Sequence, residues 1–172
     1  MNVRASALRV VLPAVAAAVL AACSKPVVAP PKPEPTVVTP TLAAAPRINI
    51  DTRGRPTPVV LRVYLLKNAS AFEGADFFSL FDREQQVLGD AVLAREEIVL
   101  KPGETRTLDA RDAEGARVVG VLAAFREVDR AVWRATVPVV PNRGNLVTIR
   151  VEDDRISLAA TLAPLPPPKK AD

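Results

Sequence analysis

Histidine is absent from the 172 residues and cysteine occurs once. The first absence removes the side chain that ordinarily moves protons near neutral pH. The second leaves no thiolate cluster for zinc and no partner for a disulfide. The seven glycines stand singly, and no spacing matches a phosphate-binding glycine loop or an EF-hand. Charge is also modest. The formal net charge is +4, and Arg4 and Arg9 lie in a segment expected to be removed, which leaves about +2, too little for a nucleic-acid footprint. These absences exclude most enzyme classes; no catalytic residue, metal or dissociable cofactor is expected, and nucleic acid is not expected as a partner.

What is present begins at the N-terminus. Residues 1–22 carry Arg4 and Arg9, then an apolar run from Val10 to Ala22 that is too short to span a bilayer, the layout of a secretory signal peptide. Leu20-Ala21-Ala22-Cys23 resembles the bacterial lipobox, so Cys23 is expected to carry covalent lipid, which also accounts for the lone thiol. Ser24 follows; in bacterial lipoproteins an aspartate there favours inner-membrane retention, so the sorting position points to the outer membrane, on its periplasmic face.

Proline separates tails from body. Seven of the 17 prolines fall between Pro26 and Pro46 and four between Pro164 and Pro168. Residues 23–35 read as a lipidated cysteine followed by an extended tether with a reach of roughly 35 Å. Residues 164–172 read as a disordered tail, and 36–163 as the folded domain, long enough for one core.

Within that domain Val59, Leu61, Val63 and Leu65 recur at period two opposite Val60, Arg62, Tyr64 and Leu66, which predicts a mid-sheet strand buried on one face and largely buried on the other. Similar runs at 94–100, 104–109, 117–127, 131–139, 146–151 and 156–161 are bounded by turn residues, which predicts a mainly β antiparallel sandwich. Trp133, Ala135, Val137, Val147, Ile149, Val151, Val119, Val121, Ala123 and Phe125 are its expected inward face. One stretch breaks the period: Ser70 and Glu73 fit a capping box, Asp76 is a second N-cap candidate, and Phe77, Phe78, Leu80 and Phe81 predict one short inserted helix over 75–84 packed on the sandwich. The paired acids Glu96 and Glu97 point to opposite faces of a strand and cannot act as a catalytic dyad.

The segment from Ala45 to Pro58 holds Arg47, Ile48, Asn49, Ile50, Asp51, Arg53, Gly54 and Arg55 between prolines. It reads either as a solvated connection or as a basic, mobile arm that presents guanidinium groups to carboxylates on another protein.

The string from Gly54 through Tyr64, the Phe77-Phe78-Ser79-Leu80-Phe81-Asp82 helix, Leu88-Gly89-Asp90, Arg95-Glu96-Glu97, Leu100-Lys101-Pro102-Gly103-Glu104, Ala123-Ala124-Phe125-Arg126-Glu127 and Trp133-Arg134 together resemble the outer-membrane lipoprotein family of the type VI secretion system. The resemblance implies a transthyretin-like, immunoglobulin-type sandwich with an added helical element and no enzymatic activity. It implies as partner the periplasmic C-terminal region of the large inner-membrane component, with the outer membrane reached through lipid. Carried over, it places a first strand at 36–44, in which Pro40 demands an edge position, and a partner loop at 45–57 with Arg47, Asn49, Asp51, Arg53 and Arg55 as contacts. Two other classes stay open at this point: a lipoprotein binding a small ligand or ion beside the aromatic helix, and a pilotin escorting an outer-membrane pore.

Overall fold

The computed structural model describes residues 33–165. The expected signal peptide, Cys23, Ser24, most of the tether and the tail from Pro166 lie outside them.

Among the described residues nine strands form two facing sheets. They are β1 (Val37–Ile48), β2 (Val59–Leu66), β3 (Val92–Leu100), β4 (Thr105–Thr107), β5 (Arg111–Asp112), β6 (Val118–Ala124), β7 (Arg134–Pro138), β8 (Gly144–Asp153) and β9 (Arg155–Leu162). One sheet runs β4-β1-β8-β9, with β5 also on β1; the other runs β3-β2-β6-β7. The mainly β sandwich read from the alternation is therefore present, with one departure from the antiparallel expectation: β1 and β8 pair parallel, from Val37 opposite Gly144 to Ala44 opposite Val151.

β2 lies between β3 and β6, as its double-sided hydrophobicity requires. Val59, Leu61, Val63 and Leu65 pack into the main core with Val119, Val121, Ala123, Phe125, Val147, Ile149 and Val151. The opposite face of β2 supplies Tyr64 and Leu66 to a second cluster with Phe72, Leu80, Leu88 and Leu122, beneath the helices. Trp133, Ala135 and Val137 are half-buried, not central. Trp133 precedes β7 and sits at the seam of both clusters, edge-on to Phe77 at 5.4 Å.

Three short helices replace the one expected: α1 (Ser70–Gly74), α2 (Phe77–Asp82) and α3 (Glu84–Leu88). Asp76 caps α2 as read, its Oδ1 accepting from the Ser79 amide at 2.9 Å. The Ser70 box does not form, because Ala69 is the N-cap and the Glu73 carboxylate instead accepts from the Thr136 hydroxyl at 2.7 Å on β7. Arg134 donates to the carbonyls of Phe72 and Ala75, which closes the end of α1 against the sheet. Of the aromatic stripe, Phe77 stacks on Phe81 at 5.3 Å, whereas Phe78 stays exposed. Tyr64 donates to Glu84 at 2.7 Å beneath this layer; its burial, together with that carboxylate, pushes the phenol above its ordinary value.

Pro40 lies in an interior strand, against the expectation of an edge. Its carbonyl accepts from the Leu108 amide at 2.9 Å on the β4 side, and β4 ends at Thr107. The donor that proline lacks therefore faces the gap between β4 and β5, where the ladder is already broken. Glu97 meets Arg62 and Glu96 meets Arg111, each at 2.7 Å and on opposite faces of β3.

β1 runs the length of the sandwich. At its start the Thr36 hydroxyl accepts from the Asn142 amide and the Val37 amide donates to the Arg143 carbonyl; at its end Ile48 pairs with Asp153. The chain thus enters at one pole and delivers the loop that follows β1 to the other.

Candidate functional site

β1 continues four residues beyond the expected end, through Pro46 and Arg47 to Ile48, because Ile48 is fully buried in the main core. The connection to β2 is consequently 49–58, and Arg47 is an exposed residue of the strand's last turn of pleat, not of the loop.

Asn49 sets the neck of this loop. Its φ of 46° is left-handed, a conformation asparagine tolerates better than most side chains. Only 4% of it is exposed. The side-chain amide donates to the Pro58 carbonyl at 2.7 Å, and its oxygen accepts from the Arg126 amide at 2.9 Å. Its backbone amide donates to the Asp153 carbonyl at 3.0 Å, and its carbonyl accepts from the Thr57 hydroxyl. One residue so ties the loop to the start of β2, to the β6–β7 connection and to the β8–β9 turn.

Asp51 organises the tip. Oδ1 accepts from the amides of Arg53 and Arg55, both at 2.9 Å, and Oδ2 receives Nε and a terminal nitrogen of Arg55 at 2.8 Å each. Gly54, at φ 78°, closes the turn by donating to the Asp51 carbonyl. The Arg55 backbone amide first, and then its guanidinium, hold the Asp51 carboxyl below its ordinary value.

This arrangement makes a latched turn of the expected mobile arm. Of the five residues singled out as contacts, Arg53 and Arg55 stand exposed at the tip with Thr52 and Pro56; Arg47 is exposed nearby on β1; Asp51 is spent on the loop's own backbone; and Asn49 is interior. Arg53 has no ion-pair partner among the described residues. Beside the loop, Arg130, Val132, Glu152, Asp153, Asp154 and Arg155 line an open depression of about 400 Å³. Arg126 and Thr57, which complete the neck through a 3.3 Å contact, were missed by sequence reading: their roles depend on a partner about 70 residues away.

Because a depressed carboxyl is protonated only below its ordinary value, the latch is complete above that value and is lost as pH falls through the folded one. With no histidine in the chain, the amide resonances of Arg53 and Arg55 are expected to hold still from neutral pH down to about pH 4 and to shift together below it. Movement between pH 5 and 7 would show that Asp51 does not hold the turn.

Among the described residues no helix is long and apolar enough to cross a membrane, and no three acidic, histidine or cysteine side chains gather to hold a metal.

Comparison with known proteins identifies the family and the fold. Residues 36–154 match the family described as type VI secretion lipoprotein, VasD, EvfM, TssJ. The T6SS lipoprotein TssJ1 from Pseudomonas aeruginosa is 38% identical, with a TM-score of 0.71 over 76% of this chain and 99% of that one. Lip from Serratia marcescens, a membrane-bound component of the type VI secretion system, is 26% identical, with a TM-score of 0.66 over 73% and 98%. A chain of the structure described as the T6SS protein TssM C-terminal domain from EAEC is 27% identical, with a TM-score of 0.61 over 71% and 99%. No curated protein matches.

Proposed function

The chain belongs to the type VI secretion lipoprotein family and is a component of that system's membrane complex, and from that premise we propose that it ties the large inner-membrane component of the complex to the outer membrane. Lipid on Cys23, with Ser24 as the sorting residue, fixes the N-terminus in the outer membrane on its periplasmic face. The domain then holds the periplasmic C-terminal region of the inner-membrane component through the loop 49–58. Its work is structural, not enzymatic.

One observation carries this reading: the latched loop, with Arg53 and Arg55 at its tip, stands at the pole opposite the one at which the tether enters. A rigid turn loses little conformational entropy when a partner binds it, and guanidinium groups suit carboxylates on that partner. The similarity to chains from a structure of the TssM C-terminal domain and from a type VI membrane complex supports the same assignment. The ligand-binding alternative has no enclosed cavity beside the aromatic helix: Arg62, Phe81, Arg83, Glu84 and Arg95 line an open, charged depression of about 350 Å³ there. The apolar gap between the sheets, lined by Val38, Pro40, Val63 and Leu65 behind the Glu96–Arg111 pair, measures about 10 Å³, the space of one water molecule.

Calorimetric titration of the lipoprotein with the C-terminal periplasmic region of the inner-membrane component tests the proposal. Saturable binding is expected, and Arg53→Glu, which leaves the Asp51 latch untouched, is expected to weaken it by about 2–5 kcal/mol, roughly thirtyfold or more. An unchanged affinity in that variant removes the loop tip from the interface.

A further inference from the structure

Four large apolar side chains stand exposed around the pole where the chain enters: Val140, Leu146, Leu162 and Leu165, each 40% or more exposed. They surround one buried residue. Asn145 lies across the ladder from Leu162 and holds both the amide and the carbonyl of Val140; Leu146 follows it on the outer face of β8, and Leu165 follows Leu162 on the departing chain. Scattered exposed leucines need no account, but four of the eight exposed large apolar side chains among the described residues, gathered at one pole, mark a surface.

The chain outside the described residues says what lies against it. From Cys23 to the point at which Pro33 enters this pole are ten residues, a span of at most about 30 Å, so lipid on Cys23 keeps this pole within about that distance of the bilayer. The tail that leaves Leu165 carries Lys169 and Lys170, and Arg143 lies on the rim. The exposed acids Asp112 and Glu114 stand on the far flank, beyond β1, since Asp112 pairs with Val37 while Gly144 and β9 lie on the other side. Apolar tips with Arg143 on the rim and the acids Asp112 and Glu114 on the far flank fit an anionic phospholipid surface approached from the β8–β9 side.

We propose that this pole rests directly on the membrane, with Val140, Leu162 and Leu165 at the boundary between headgroups and acyl chains. The proposal depends on the lipid anchor at Cys23. Contact with lipid leaves the tether slack and fixes the orientation of the domain, so that the loop 49–58 faces away from the bilayer.

The lipidated full chain, reconstituted in vesicles of phosphatidylethanolamine and phosphatidylglycerol with brominated acyl chains, tests this. The chain's single tryptophan, Trp133, lies before β7, towards the other pole, and serves as the reference. In Leu165→Trp the introduced indole is expected to lose most of its emission relative to vesicles without bromine. Trp133 in the wild type and the indole introduced by Thr52→Trp at the loop tip are expected to keep theirs. Equal emission of Leu165→Trp in both kinds of vesicle, with the protein still bound, overturns the proposal while leaving the anchor standing. Protein that does not stay with the vesicles at all overturns the anchor, and the proposal with it.

Discussion

Replacing Asn49 with alanine is expected to lower the unfolding free energy by about 2–4 kcal/mol and to weaken partner binding, although almost no surface changes. The substitution leaves the Pro58 carbonyl and the Arg126 amide without their partners in a part-buried neck, and a buried polar group without a partner costs about 1–3 kcal/mol. It also forces a β-carbon bearing no amide into a backbone with φ 46°, which costs a further ~1 kcal/mol. Asn49→Gly separates the two terms, since glycine accepts the left-handed backbone but makes neither bond. Urea titration followed by calorimetry on the same samples gives both quantities. Wild-type affinity in a destabilised Asn49→Ala would mean that the partner reads Arg53 and Arg55 without needing the latch, and the preorganisation argument would fall.

The other large effect is expected from Cys23→Ser in a chain exported behind an ordinary cleavable signal peptide. Each buried methylene of a lipid chain contributes about 0.8 kcal/mol, so the acyl chains proposed for Cys23 would hold the wild type in the membrane essentially without release. The serine variant is expected to move wholly to the soluble periplasmic fraction, and secretion to cease, while its thermal unfolding matches that of the wild-type domain. The pole-resting contact of Val140, Leu162 and Leu165 is too small to retain it alone, since one apolar contact patch is far weaker than a double anchor. Membrane fractionation and a secretion assay decide the matter. Secretion at the wild-type level by the soluble variant would show that the tie to the outer membrane is not this protein's work.

How much of this was legible in the sequence follows from how local each signal is. β2 was readable because both of its faces are buried, one by the opposite sheet and one by the helices, so its eight residues form a continuous apolar run apart from Arg62. Arg62 itself is reconciled with that position by Glu97, by the Phe81 carbonyl and by the ring of Phe81, 4.1 Å from its guanidinium carbon. The N-cap at Asp76 was readable for the same reason: its partner is three residues away. The end of β1 was not. Pro46 and Arg47 argue locally against a strand, and what carries β1 through them is the burial of Ile48 and its pairing with Asp153, more than 100 residues on. Pro40 misled in the same way, since its missing donor is harmless only because β4 and β5 leave a gap beside it. The loop's arginines were visible as a basic cluster between prolines. That Asn49 is a tie and not a contact was not visible, because its two side-chain partners, Pro58 and Arg126, meet only in the fold. Likewise Ser70 offered a capping box on spacing alone, and a hydroxyl on another strand, that of Thr136, took the glutamate it needed.

β1 joins the two poles in a single strand, and this decides how the domain responds to force. A secretion apparatus that strains between two membranes would pull on the lipid at one end of β1 and on the loop at the other, placing the strand under tension along its own axis. The load then runs through the covalent backbone of one extended strand, and the hydrogen bonds to β8 on one side and to β4 and β5 on the other, which lie across that axis, are not what carries it. Asn49 ties the loop end of that strand to the start of β2, to β8 and to the residue after Phe125. With the tether and the loop at the same end, the same pull would instead load the hydrogen bonds between strands; with the proposed attachments at opposite ends of β1, the covalent chain takes it.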